Sequence, residues 1–284
     1  MSGEIIEVGN LPATVVPNAN TRKAYGRWLN LYGDFLERNG FAAGEVGAAE
    51  VGHFLERTGG HASKLQARAA VNAFYSMLVM EGRLQTNPVR FVKLQKRTNV
   101  EAVTESLTVG ELARVARTIG ESEHALEDGA LLAVAVYTLA RSAALVDMKL
   151  EDLQLGSDAE VKLREKGGQR RRVGLFPAAR RAVGDYVDTR QGEKGSASLW
   201  CLRNGEAITY TALYKRTAVW GVNAKLDKKI TPHVLRATGI THLLDFLPLV
   251  LVSKLAGHAD VKTTLRYAST AAVKSVSEMD VRLY

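Results

Sequence analysis

Apolar side chains at Tyr25, Trp28, Leu29, Tyr32, Phe35 and Leu36 recur at helical spacing, and Gly40 follows as a stop. The same reading predicts a second short helix over Ala48 to Arg57, closed by Gly59-Gly60. A third helix runs through Leu65, Val71, Phe74, Tyr75 and Leu78 and ends near Gly82. From Asn87-Pro88 to about Ser106 the periodicity fades. Helical signals return at Thr108-Val-Gly-Glu111, which has the form of a capping box, and a long apolar helix is expected from about Leu126 to Leu139. Between Asp152 and Phe176 the period changes to two. Val161 and Leu163 alternate with Lys162 and Arg164, Gly167-Gly168 supplies a turn, and Val173 and Leu175 alternate with Arg172 and Gly174. That pattern is a β-hairpin with a basic face. Helices follow over Pro177 to Val187 and Tyr210 to Val222, and Thr231-Pro232 joins an N-cap to a proline suited to a first helical turn.

The expected fold is therefore mainly α with a small antiparallel β-sheet. An all-helical N-terminal domain (residues 1–89) is followed by a linker (90–106) and an α+β domain (107–284). The length of 284 residues allows each domain a core of its own, and 46% hydrophobic with 24% charged residues is globular composition. No apolar run is long enough to span a membrane, and the acidic start MSGEIIEVGN lacks the marks of a leader, so a cytoplasmic location is expected. The single cysteine, Cys201, excludes an internal disulfide and a Cys-rich zinc site.

The charge adds a partner class. A formal net charge of +8 and a pI near 9.5 favour a polyanion. The linker concentrates this charge, with Arg90, Lys93, Lys96 and Arg97 and no acid between them.

His233 and Arg236, three apart at the front of a helix, leave the same face beside free backbone N–H groups, a place suited to an anion. Further on, Leu255-Ala-Gly-His258 is followed nine residues after the histidine by Tyr267, across a helix cap at Asp260. His233-Val-Leu-Arg236 with Leu255-Ala-Gly-His258 and Tyr267 resembles the C-terminal signature of the tyrosine recombinase and integrase family. Two upstream stretches extend the resemblance. Tyr137-Thr-Leu-Ala-Arg141-Ser-Ala-Ala-Leu145 is similar to the family's T-G-L-R-x-x-E-L box, and Lys166-Gly-Gly-Gln-Arg-Arg-Arg-Val173 to its K-G-x-K-x-R-x-V-P-L segment. The sequence departs from these patterns at Leu139, where the family has glycine, at Ala144, where it has an acid, and at Ala237, often histidine.

The resemblance implies a site made of Arg141, Lys166, His233, Arg236, His258 and Tyr267. Arg141 and Arg236 would grip the non-bridging oxygens of a phosphodiester, with His258 adding a hydrogen bond. His233 would help take the tyrosine proton or orient the phosphate, Lys166 would protonate the departing 5′ oxygen, and Tyr267 would attack. It implies a site-specific DNA recombinase that works through a 3′-phosphotyrosine bond, without metal, cofactor or ATP. Double-stranded DNA is the expected partner. Four copies are expected to assemble on it through the C-terminal tail, where Val273, Val276, Met279 and Val281 form an apolar stripe. Further DNA contacts are expected at Lys64, Arg68, Lys93, Lys96, Arg97, Arg170, Arg172 and Lys215, with Arg22, Lys23, Arg27, Tyr214 and Arg216 as lesser choices. His242, alone on an apolar helix, is expected to be structural. Two other functions fit the same residues: a type IB topoisomerase that relaxes supercoils, and a non-catalytic DNA-binding relative, the latter suggested by Ala144.

Overall fold

Asn18 opens the first helix, its side chain accepting from the Thr21 N–H at 3.0 Å, so that α1 (Ala19–Arg38) starts on a satisfied donor. In the computed structural model, residue 8 and residues 11–94, 105–165, 168–190, 197–202 and 204–268 are described. The chain divides into two compact units, Met1–Glu101 and Ala102–Tyr284.

In the first unit α1 is joined by α2 (Ala48–Glu56) and α3 (His61–Met80), with a 3-10 turn at Pro88–Phe91. Gly40, Gly59 and Gly82 all adopt positive φ at the helix ends where a stop is expected. Leu29, Tyr32, Phe35 and Leu36 of α1 pack with Val51, Phe54 and Leu55 of α2 and Phe74, Tyr75 and Leu78 of α3. The Tyr32 and Tyr75 hydroxyls lie 2.8 Å apart in this core. Tyr75 donates onward to the Ala43 carbonyl at 3.1 Å, so Tyr32 is the donor to Tyr75. The basic stretch from Arg90 does not leave the unit at once. Val92 is buried in its core and Leu94 packs against it.

The second unit opens on the expected capping box. Thr108 Oγ1 accepts from the Glu111 N–H at 3.2 Å, and the Glu111 carboxylate accepts from the Thr108 N–H at 2.7 Å, starting α4 (Val109–Gly120). Lys228 fastens this corner by pairing with Glu111 at 3.0 Å and donating to the Ser106 carbonyl at 3.1 Å. The apolar helix is α5 (Ala125–Tyr137), buried on most of its surface and packed against α4, α7 (Pro177–Thr189) and α9 (Pro232–Leu244). α8 (Tyr210–Asn223) is tied to α5 through one buried acid: Asp128 accepts from Trp220 Nε1 at 2.9 Å and pairs with Arg216. Arg216 also pairs with Glu127 at 2.7 Å. Its guanidinium thus serves the core of the unit and is not presented for DNA.

After the short α6 (Ser142–Val146) comes a three-stranded antiparallel sheet in the order β1-β2-β3. β2 (Glu160–Arg164) and β3 (Arg170–Gly174) form the expected hairpin. β1 (Leu153–Gln154) has only two residues and so no period that a sequence pattern could reveal. The register sets Val161 opposite Val173 and Leu163 opposite Arg171 on one face, and Lys162 opposite Arg172 and Arg164 opposite Arg170 on the other. Val161, Leu163 and Val173 are buried. Arg171 shares their face, inward from its exposed neighbours.

Thr231 caps α9 through its side chain, which accepts from the Val234 N–H at 3.2 Å, and Pro232 occupies the first turn. α10 (Leu249–Ala256) ends at Gly257 in the left-handed region, φ 64°, and α11 (Val261–Ala268) follows. Asp260 accepts from the Lys262 N–H at 2.9 Å, the expected cap. His242 sits at the core edge as expected, with Nε2 donating to the Leu107 carbonyl at 2.9 Å. Lys96, Arg97, Lys166 and the tail from residue 269 lie outside the described residues.

Candidate active site

The site is assembled where the end of α5, the β2–β3 hairpin, α9 and the α10–α11 turn meet. Arg236 projects from the second turn of α9 and is only 4% exposed. Its guanidinium donates to the carbonyls of Leu139 and, at 2.7 Å, Ala256. It also reaches His258 Nε2 at 2.8 Å. A guanidinium has no acceptor, so this nitrogen accepts and the His258 proton is on Nδ1, which donates to Thr264 Oγ1 at 2.8 Å. His258 is therefore a neutral imidazole. Burial, and then the positive charges of Arg236, Arg141 and Arg171, push it down to about 4. Burial, then Arg141, likewise lowers Arg236 to about 10, which leaves it charged at neutral pH.

Arg141 comes from a different device. α5 ends at Tyr137, Leu139 takes φ 54°, and the chain turns so that Arg141 is the N-cap residue of α6. The left-handed region is where glycine is at ease and a leucine costs about 1–2 kcal/mol. Glycine at this place in the resembling motif thus has a backbone reason, and Leu139 compensates by being fully buried with Ala237, Ile240, Val252, Ala256 and Tyr267. Arg141 Nη2 donates to the Gly257 carbonyl at 2.9 Å, and Nη1 pairs with Glu165.

Two residues that sequence reasoning did not single out complete the cage. Arg171 donates to the Leu255 carbonyl, to the Thr138 carbonyl at 3.4 Å and to Glu165 Oε1 at 3.0 Å. Glu165 is the carboxylate between Arg141 and Arg171, with a side chain 7% exposed. Burial alone would push its carboxyl up; hydrogen bonds from the two arginines outweigh that and hold it below the usual carboxylate range. The signal for Arg171 was present, because period two puts it on the face of Val173. For Glu165 there was none, since a lone acid beside basic residues reads as a surface charge. Gly257 is favoured by its φ, and a side chain there would also come within 3.3 Å of Arg171 Nε, which would have to give way, while Arg141 Nη1 at 3.7 Å leaves room for ordinary contact.

His233 lies one turn from Arg236 at the exposed front of α9, and burial with the Arg236 charge lowers its pKa. Tyr267, on α11, is 7% exposed and packs in the apolar cluster with Leu139 and Ala256, within electrostatic reach of Arg236. Five of the six expected site residues, Arg141, His233, Arg236, His258 and Tyr267, thus lie on the elements that meet here, and Lys166 falls outside the described residues. Among the described residues no group of three His, Cys, Asp or Glu side chains converges to hold a metal ion. No helix among them is long and apolar enough to cross a membrane.

The residues expected to contact DNA are placed differently from one another. Lys93, Arg170, Arg172 and Lys215 are exposed, and Arg172 pairs with Glu160 at 2.7 Å. Lys64 pairs with Glu56, and Arg68 turns toward the Val89 carbonyl at 3.5 Å, so both are engaged within the helical unit. Arg22 donates to the Val16 and Pro17 carbonyls.

A cage of guanidiniums, buried at Arg236 and open to solvent at Arg141, with a neutral histidine and a tyrosine on the following helix, defines a class of proteins suited to handling a phosphodiester. The chain belongs to the phage integrase family, whose model matches residues 105–273, more than half of its length. It is 27% identical over 216 residues to tyrosine recombinase XerC of Vibrio cholerae serotype O1, covering 75% of this chain and 68% of that one. It is 28% identical over 215 residues to XerC of Vibrio vulnificus, covering 74% and 67%. Among solved structures its fold resembles the XerH site-specific recombinase bound to palindromic difH substrate in a post-cleavage complex. That match has a TM-score of 0.76 and 21% identity, over 88% of this chain and 76% of the other. A lambda integrase dimer bound to a COC′ core site matches with a TM-score of 0.69 and 15% identity, over 94% and 75%.

Proposed function

We propose that this chain is a site-specific DNA recombinase that breaks and rejoins strands through a covalent bond to Tyr267. The observation that carries the reading is the convergence of Arg141, Arg171, Arg236 and His258 on the Gly257 turn, one helix before the tyrosine. Each guanidinium is braced by main-chain carbonyls, so the cations are oriented before substrate arrives. Preorganised donors of this kind act on charge that develops in the transition state.

In the reaction the Tyr267 oxygen attacks phosphorus in line. The bond from phosphorus to the 5′ oxygen breaks, the tyrosine keeps the 3′ phosphate, and the 5′ oxygen leaves with a proton. Arg141 and Arg236 neutralise the non-bridging oxygens. His233, exposed beside Arg236, takes the tyrosine proton or orients the phosphate, and His258 donates to the phosphate once its proton moves to Nε2, with Thr264 Oγ1 then donating to Nδ1. Lys166 supplies the proton to the leaving oxygen. A 5′ hydroxyl from a second duplex reverses the sequence, and since the bond is traded and not hydrolysed, no ATP is needed. The helical unit clamps DNA, and the basic stretch from Arg90, whose Val92 and Leu94 still pack on that unit, leads on to the second. Four copies assemble on two duplexes through the C-terminal tail, in the cytoplasm.

The test is to incubate the protein with a nicked duplex of its own locus in EDTA and look for a denaturant-resistant adduct. Wild type is expected to form it and Tyr267→Phe to form none. No adduct on a duplex that the protein binds would replace this reading with that of a binding protein.

A further inference from the structure

Three guanidiniums in one small volume repel one another, and the carbonyls of Leu139, Leu255, Ala256 and Gly257 cannot cancel their charge. The helix that Arg141 caps offers no help. α6 reads Ser142-Ala-Ala-Leu-Val146, and Ala144, three after the arginine, is buried in the apolar core. The counter-charge comes instead from the end of β2. Glu165 accepts from Arg141 on one carboxylate oxygen and from Arg171, at 3.0 Å, on the other. Its own N–H donates to the Gln169 carbonyl at 2.7 Å, which anchors it at the base of the hairpin turn. One buried acid thus spans two arginines that arrive from separate elements.

We propose, on the basis of the reading above, that Glu165 is the positioning acid of this site, aligning Arg141 and Arg171 on the scissile phosphate in place of an acid at position 144. It does not touch the reacting atoms. Its effect is on where the two forks point, and misplacement by about 1 Å is enough to slow such chemistry by about 10²-fold. Glu165→Gln keeps the shape but loses the charge and one of the two acceptors, so one arginine is released.

The experiment compares single-turnover cleavage of the nicked duplex at saturating protein, duplex affinity and thermal melting for wild type, Glu165→Gln and Glu160→Gln. Glu160 opens β2, the strand that Glu165 follows, but pairs with exposed Arg172, and its variant is expected to cleave as wild type. Glu165→Gln is expected to bind the duplex with unchanged affinity and to cleave about 10²-fold more slowly. A carboxylate with only a structural role would lower the melting temperature and spare the saturated rate of the folded protein; that result overturns the proposal. Should the amide variant not fold, Glu165→Asp keeps the charge and shortens its reach. A fall of about ten-fold or more in the saturated rate then supports the proposal, and an unchanged rate overturns it. A wild type that binds but forms no adduct removes the recombinase reading and this inference with it, whereas a competent wild type matched by Glu165→Gln removes this inference alone.

Discussion

His258 illustrates how a single side chain joins a proposed catalytic role to a pH limit. Burial first, and then the charges of Arg236, Arg141 and Arg171 against the opposing charge of Glu165, hold its pKa at about 4, against 6.5 for an unperturbed imidazole. Between these values the unfolded chain binds a proton that the folded chain refuses, so stability falls as the pH drops from 6.5 toward 4. Below that window the loss is complete, because both states are protonated. His233, lowered in the same direction, adds to the slope. His258→Gln, which cannot titrate, is expected to show a shallower decline of melting temperature over that range, measured by calorimetry at several pH values. Equal slopes would mean that the imidazole is not held neutral by the arginines. The motif named six expected site residues, but the state of His258 was not legible in it, since it depends on charges brought from the α5–α6 turn, the residue after β2, β3 and α9.

At the scale of elements, some helix ends were legible to the residue because caps and glycine stops are local signals, while the Asn18 start of α1 and the whole of α10, which ends on Gly257, were not read. The Thr108 capping box and the Thr231-Pro232 start are examples of the legible ends. What the sequence did not reveal is how closely two helices approach. Gly239 of α9 lies against the end of α5, where an added Cβ would overlap the Val136 carbonyl oxygen and come within 2.6 Å of Leu139 Cδ2. The carbonyl is backbone and cannot rotate away. Gly239→Ala is therefore expected to cost about 3 kcal/mol in denaturant unfolding. Gly129→Ala on α5, where a Cβ meets nothing within 4 Å, is expected to gain about 0.5–1 kcal/mol. The asymmetry matters because the same crossing sets Arg141, just beyond α5, against Arg236 of α9. If both substitutions proved neutral, the crossing would be looser than its geometry requires.

For the whole molecule, a net charge of +8 was an ambiguous sign, and the structure sorts its cations into two groups. Arg141, Arg171, Arg216, Arg236 and Lys228 are engaged in internal pairs or carbonyl contacts. On the outer face of the hairpin, by contrast, the register sets Lys162 opposite Arg172 and Arg164 opposite Arg170. Like charges directly across an antiparallel pair destabilise a sheet. Glu160 relieves Arg172, and Asp152 and Glu151 relieve Arg164, but Arg170 and Lys162 remain on an exposed face. Such a face gains from a polyanion what it costs in folding. Duplex affinity is accordingly expected to fall steeply with salt, and Arg170→Gln to reduce the slope of log affinity against log salt by about one, the signature of one lost phosphate contact. An unchanged slope in Arg170→Gln would take the hairpin face out of the DNA interface and leave the counterion release to other cations, among them the exposed Lys93 and Lys215.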